Sequence, residues 1–76
     1  MRVLNMRNDI TPSELRTMKL IAQGHQAKAA ARIAGLSQWT VKCQIQSAAK
    51  KMGARNATHT IALAIIGGII KPEDLQ

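Results

Sequence analysis

Residues 26–52, QAKAAARIAGLSQWTVKCQIQSAAKKM, constrain the fold more than any other stretch. They read as two helices joined by a tight turn at Gly35, the second opening at Ser37. At 100° per residue, Val41, Ile45, Ala48 and Met52 fall on one stripe. Trp39, Lys42, Cys43, Gln46 and Lys50 fall on the opposite side, which carries no acid. A helix with an apolar back and a front of cations, an amide and small polar groups suits an anionic surface. The expectation is that this front enters the major groove of DNA. The spacing Ala31, Gly35, Val41 is that of a helix-turn-helix: a small residue where helices cross, a glycine in the turn, a β-branched anchor beneath the second helix. Many helical pairs contain A-x3-G, so the weight of this pattern comes from its coincidence with the basic face.

Charge supports the same direction. The formal net charge is +7, and the only acids are Asp9, Glu14, Glu73 and Asp74. Between Leu15 and Pro72 lie Arg16, Lys19, Lys28, Arg32, Lys42, Lys50, Lys51, Arg55 and Lys71 with no acid among them. An acid-free, cation-rich stretch predicts attraction to polyanions.

Size bounds the rest. A chain of 76 residues is one small domain with a modest core. It has one Trp and no Phe or Tyr, so the core must come from Leu, Ile, Val, Met and Ala, which suits closely packed helices. No apolar run reaches the roughly 18 residues of a membrane span. The start, MRVLNMRND, lacks the apolar stretch of a secretory signal. One cysteine cannot form an internal disulfide or a multi-cysteine zinc site. The expected location is therefore the reducing cytoplasm, at the nucleoid.

Taken in order, residues 1–9 are an arm or a short element that packs on the body. Residues 10–70 are the domain and 71–76 a polar tail. Thr11-Pro12-Ser13-Glu14 is a helix start, with Thr11 as cap, Pro12 at the first position and Glu14 completing a T-x-x-E capping box. Ile10 is placed to staple onto Leu15. This first helix runs to about Gln23, with Leu15, Met18 and Ala22 inward, widened by Ile21, and Gly24 as its stop. The second, from about Gln26 to Ala34, is rich in alanine, which allows close approach. Lys28 and Arg32 share its outer face. Ser37 caps the third helix and Gly53 ends it. Asn56 caps a fourth that ends near Gly67-Gly68 and is apolar almost all round. Either that helix is fully enclosed, which so short a chain makes difficult, or one face meets a second copy. Ile69-Ile70 is expected to cover the end of the core.

The stretch from Ile10 to Ile70 resembles the LuxR-type (GerE-type) helix-turn-helix domain of bacterial transcription regulators. The residues that carry the resemblance begin with Thr11-Pro12, Glu14 and Leu20-Ile21-Ala22-Gln23-Gly24. Lys28, Ala31-Arg32, Gly35-Leu36-Ser37 and Thr40-Val41-Lys42 follow. Lys51-Met52-Gly53, Arg55-Asn56, Ala62-Leu63-Ala64-Ile65 and Gly68-Ile69-Ile70 complete it. The resemblance implies an all-α, four-helix domain whose third helix reads the major groove and whose fourth makes the dimer contact. It places Lys42, Cys43 and Gln46 at base edges, and Lys28, Thr40 and Gln44 on the phosphate backbone. The helical wheel puts Lys42, Cys43 and Gln46 on the front independently; for Gln44 only the resemblance argues. Lys50, also on the front, joins the backbone contacts, and so does Trp39, for which packing on the first turn of its own helix or a buried role elsewhere stays open. Ile61, Ala64, Ile65 and Gly68 are the expected dimer surface. The chain departs from the family in having Gln44 where histidine is common, and Ala29 and Arg16 where acids are. Trp39 stands where a small or charged residue is usual. The family domain is normally the C-terminal part of a longer regulator with a sensor domain. None is visible in this sequence, so a stand-alone domain that does not sense a signal in that way is expected.

Other chemistry finds no support. Cys43 reads as a small groove contact rather than a redox sensor, having no partner cysteine. His25 and His59 are lone histidines at helix edges, so no metal is expected. Ser13, Ser37 and Thr11 are caps, not nucleophiles. No Ser/His/Asp set, carboxylate pair or phosphate-cradling glycine loop is present, and neither enzyme activity, cofactor nor small-molecule ligand is expected. The leading expectation is a homodimeric DNA-binding regulator. One alternative is an antagonist that binds a larger transcription regulator through the last helix. The other is a non-specific nucleoid or RNA binder. RNA polymerase is a further conceivable partner.

Overall fold

The structure, a computed structural model, describes residues 10–76; the expected arm at residues 1–9 lies outside them. Among the described residues four α-helices follow one another: α1 (Pro12–Ala22), α2 (Ala27–Ala34), α3 (Gln38–Met52) and α4 (Ala57–Ile66). A single 3-10 turn, Pro72–Leu75, comes last. The described residues contain no strand. The fold is all-α, as the sequence implies.

The helix starts are those that local chemistry dictates. Thr11 Oγ1 accepts the Glu14 N–H at 3.0 Å, and Glu14 Oε1 accepts the Thr11 N–H at 3.0 Å, closing the capping box. Ser37 Oγ accepts the Thr40 N–H at 3.0 Å, and Asn56 Oδ1 the His59 N–H at 2.8 Å. Only α2 starts without a side-chain cap. Its end is strongly defined. Gly35 takes φ 74°, in the left-handed region that favours glycine. The Leu36 N–H then reaches Ala31 O at 2.8 Å and the Gly35 N–H reaches Arg32 O at 3.3 Å. This is the Schellman pattern, which satisfies the last carbonyls of α2 and turns the chain into α3.

Two apolar cores result. Beneath the α2–α3 elbow, Leu20, Ala30, Ala31 and Val41 close on one another. A larger core joins α1, α3 and α4 through Met18, Ile45, Ala48, Met52, Ala64 and Ile70, with Ile10 and Ile69 at its edges. The four residues of the predicted α3 stripe, Val41, Ile45, Ala48 and Met52, are all buried. Ile69 and Ile70 do close the core end.

The inner face of α1 is wider than expected, although Leu15, Ile21 and Ala22 do pack against the larger core. Met18 is fully buried, but Leu15, Ile21 and Ala22 are only half-buried, whereas Glu14, Thr17 and Leu20 are buried. The reason is that α1 packs on α2 and on α3 at once. Leu20 fills the elbow core, and Glu14 and Thr17 face α3 through polar contacts. The expected polar tail also takes a definite form. Its 3-10 turn packs on α1, where Gln23 Nε2 donates to Asp74 O at 2.9 Å and Lys19 Nζ lies 3.6 Å from Asp74 Oδ1. Hydrogen bonds rather than apolar burial anchor it, and hydrophobic periodicity does not report such contacts.

Candidate nucleic-acid interface

Helix α3 presents three faces. The apolar back sits in both cores. A polar rail, built from Gln44, Ser47 and Lys51, turns toward α1. The front carries Trp39, Lys42, Gln46 and Lys50, all exposed, with Cys43 half-exposed beside them. Trp39 is 74 % exposed. No acidic side chain belongs to α3. Lys28, on the outer face of α2, is also exposed. Thr40 is half-buried, and its hydroxyl lies 2.9 Å from Ser37 Oγ in the cap.

The rail fixes where the front points. Lys51 Nζ reaches both oxygens of Glu14, at 2.8 and 3.1 Å. Burial raises the Glu14 carboxyl's pKa, but the Lys51 ammonium, the Thr11 N–H and the Ser47 hydroxyl outweigh it. Together they hold the carboxyl below its ordinary value. Gln44 Nε2 donates to Ser13 Oγ at 2.6 Å, while its Oε1 accepts from the Thr17 hydroxyl. Both ends of the Gln44 amide are thus engaged with α1. The half-exposed Gln44 side chain thus helps to position α3, and the expected phosphate contact would require it to release these bonds. On the far side of α1, Arg16 Nη2 donates to Ala34 O at 3.4 Å, placing a cation at the C-terminus of α2. The arginine found where the resemblance leads one to expect an acid therefore supports the elbow.

Sequence reading missed this rail. The signal was present: Gln44 and Lys51 stand two turns apart on α3, opposite Ser13, Glu14 and Thr17 on α1. Two polar stripes at helical spacing outline a buried seam, but each residue also has an ordinary surface reading.

The expected dimer surface needs one change. Ala64 is fully buried, packed in the larger core, and cannot meet a second copy. Ile61 and Gly68 are half-buried, while Ile65 is 39 % and Ile66 81 % exposed. The outward apolar stripe of α4 is therefore Ala62, Ile65 and Ile66, flanked by Ile61. His59 serves the start of α4, where its Nδ1 accepts the Arg55 N–H at 3.0 Å.

The family profile described as "Bacterial regulatory proteins, luxR family" matches residues 8–64, about three quarters of the chain. The chain belongs to the LuxR family. Among its relatives, the transcriptional regulatory protein YdfI of Bacillus subtilis is 35% identical over 71 residues, covering 91% of this chain and 33% of its own length. The transcriptional activator proteins BjaR1 of Bradyrhizobium diazoefficiens and VanR of Vibrio anguillarum are each 38% identical over 63 residues. Each match covers 83% of this chain and 26% of the relative. The chain thus spans only a quarter to a third of the relatives it matches. No solved structure matches it. LuxR-family proteins are regulators, not an enzyme family. No helix among the described residues is long and apolar enough to cross a membrane.

Proposed function

We propose that the chain is a sequence-specific, double-stranded DNA-binding transcription regulator acting as a homodimer in the cytoplasm. Helix α3 enters the major groove. Lys42, Cys43 and Gln46 read bases, with Gln46 suited to a bidentate bond with adenine. Lys28, Trp39, Thr40 and Lys50 hold the sugar-phosphate backbone and set the register. A second copy meets α4 through Ala62, Ile65 and Ile66, with Ile61 and Gly68 at the edge. Two recognition helices then face half-sites about one helical turn apart.

The observation that carries this reading is the division of labour on α3. Every polar group on the rail is engaged with α1, while the acid-free front bearing Lys42, Gln46 and Lys50 is left outward. The relatives named as transcriptional activators and regulators support the same reading. An antagonist working through α4 alone would have no use for that front.

The deciding experiment is a binding selection on random duplex DNA at roughly physiological salt, where non-specific affinity fades. The expected result is an enriched inverted repeat with half-sites about 10 base pairs apart. Uniform weak retention of all sequences would overturn it.

A further inference from the structure

Beside the front of α3 runs an open groove of about 880 Å³. The end of α1, the start of α2, α3 itself and the turn into α4 enclose it. The half-buried Ile21, Ala27 and Ala49 contribute to its floor, and Lys42, Lys50 and Arg55 to its rim. Among the described residues, no carboxylate lines it. The rim would suit a phosphate backbone. The floor would not, because a sugar-phosphate chain gains little from an aliphatic trough.

We propose that this groove docks an acidic amphipathic helix of a partner protein, and that its docking excludes DNA. Three features select that occupant. The rim demands negative charge, and the floor demands an apolar stripe on the same ligand. Val41 and Lys50 stand nine residues apart on α3, a rise of about 13 Å, which accommodates roughly two turns of a second helix. A helix with leucines at i, i+3, i+4 and i+7 and glutamates on its flanks meets all three. An open groove suits a helix better than a small molecule, whose sites enclose most of the ligand. Lys42 and Gln46 line this groove and also stand on the front, so an occupant blocks base reading. That last step rests on the proposed DNA reading; the docking itself does not.

The test uses the full chain and a fluorescein-labelled 16-residue peptide with that leucine stripe and glutamate elsewhere, followed by anisotropy in the absence of DNA. A peptide of the same composition with the stripe scrambled is the control for charge. The striped peptide is expected to bind at least about tenfold more tightly than the scrambled one. Ala49→Glu sets a carboxylate on the floor and is expected to weaken it at least about tenfold. Arg32→Glu, a larger charge change on α2 away from the groove, is expected to leave it within about twofold. If circular dichroism shows that Ala49→Glu does not fold, Arg55→Glu on the exposed rim takes its place. Random duplex DNA is then expected to displace the peptide. Equal binding of the two peptides, or of parent and groove variant, overturns the docking site. Simultaneous binding of peptide and DNA overturns the exclusion alone. A chain that binds peptide but no DNA retains the groove and refutes the DNA reading.

Discussion

Helices α3 and α4 pack against each other, yet they spend their residues in opposite ways. The polar helix, α3, is the more firmly held. Its buried stripe of Val41, Ile45, Ala48 and Met52 reaches into both cores, and Gln44 and Lys51 tie it to α1. The apolar helix, α4, fully buries only Thr60 and Ala64 and leaves Ile66 at 81 % exposure. Composition alone would rank them the other way. Hydrophobicity in α4 exceeds what so small a core can take up, and the excess is a surface. Polarity in α3 is partly internal, a seam that fixes one rotation of the helix and so aims its front.

The largest effect should separate the two sides of α4. Ala64→Glu drives an unpaired charge into the larger core, and a cost of several kcal/mol is expected to unfold so small a domain. Circular dichroism at 25 °C would read this as lost helicity. Ile66→Glu, two residues along the same helix, is expected to keep the helix content and the thermal midpoint. It should convert a dimer into a monomer by light scattering. A dimer that survives Ile66→Glu would remove α4 from the interface.

The front of α3 comes next. Lys42→Ala and Gln46→Ala are each expected to lose about 1–3 kcal/mol of discrimination between the selected site and a scrambled one. Thermal stability should stay within about 0.5 kcal/mol, since both side chains are exposed. If either variant keeps full discrimination, its side chain does not read a base.

The seam should respond to pH. Because Glu14 is held below its ordinary value of 4.5, the folded state favours its carboxylate. The stabilisation is complete well above pH 4.5 and is lost as pH falls through the lower folded value. Glu14→Gln is expected to cost about 1–2 kcal/mol near pH 7, moderated because Lys51 keeps contact with water. The parent's urea midpoint should fall between roughly pH 5 and 3 more steeply than the variant's. Parallel pH profiles would mean that Glu14 contributes nothing through its charge.

How far the sequence reveals this arrangement depends on the kind of contact. Caps and stops were legible because Thr11, Ser37 and Asn56 act on their own neighbours, within three residues. The back of α3 was legible because burial writes a helical period into the chain. The Gln44 and Lys51 contacts were not, because they span 31 and 37 residues and join side chains that also make good surface residues. Ala64 shows the same limit from the other direction. It was expected on the dimer surface with Ile61 and Ile65 in a helix apolar almost all round, and only the position of Met18 and Ile70 decides which side of that helix is closed. The polar 71–76 segment was too short to show a period at all.

The smallest effect distinguishes two residues of α3 that sequence reading assigned one role. Lys50 is exposed on the front, whereas Gln44 is engaged with Ser13 and Thr17. A phosphate contact releases counterions, so removing one flattens the dependence of log affinity on log salt by about one unit. Lys50→Ala is expected to show that change with little loss of stability. Gln44→Ala is expected to keep the parent's salt slope and lose about 1–2 kcal/mol of stability, because the Ser13 and Thr17 hydroxyls lose their partner. The opposite pattern, a flatter slope for Gln44→Ala at unchanged stability, would free this amide from α1 when DNA binds. The seam would then be part of the contact surface and not the device that aims it.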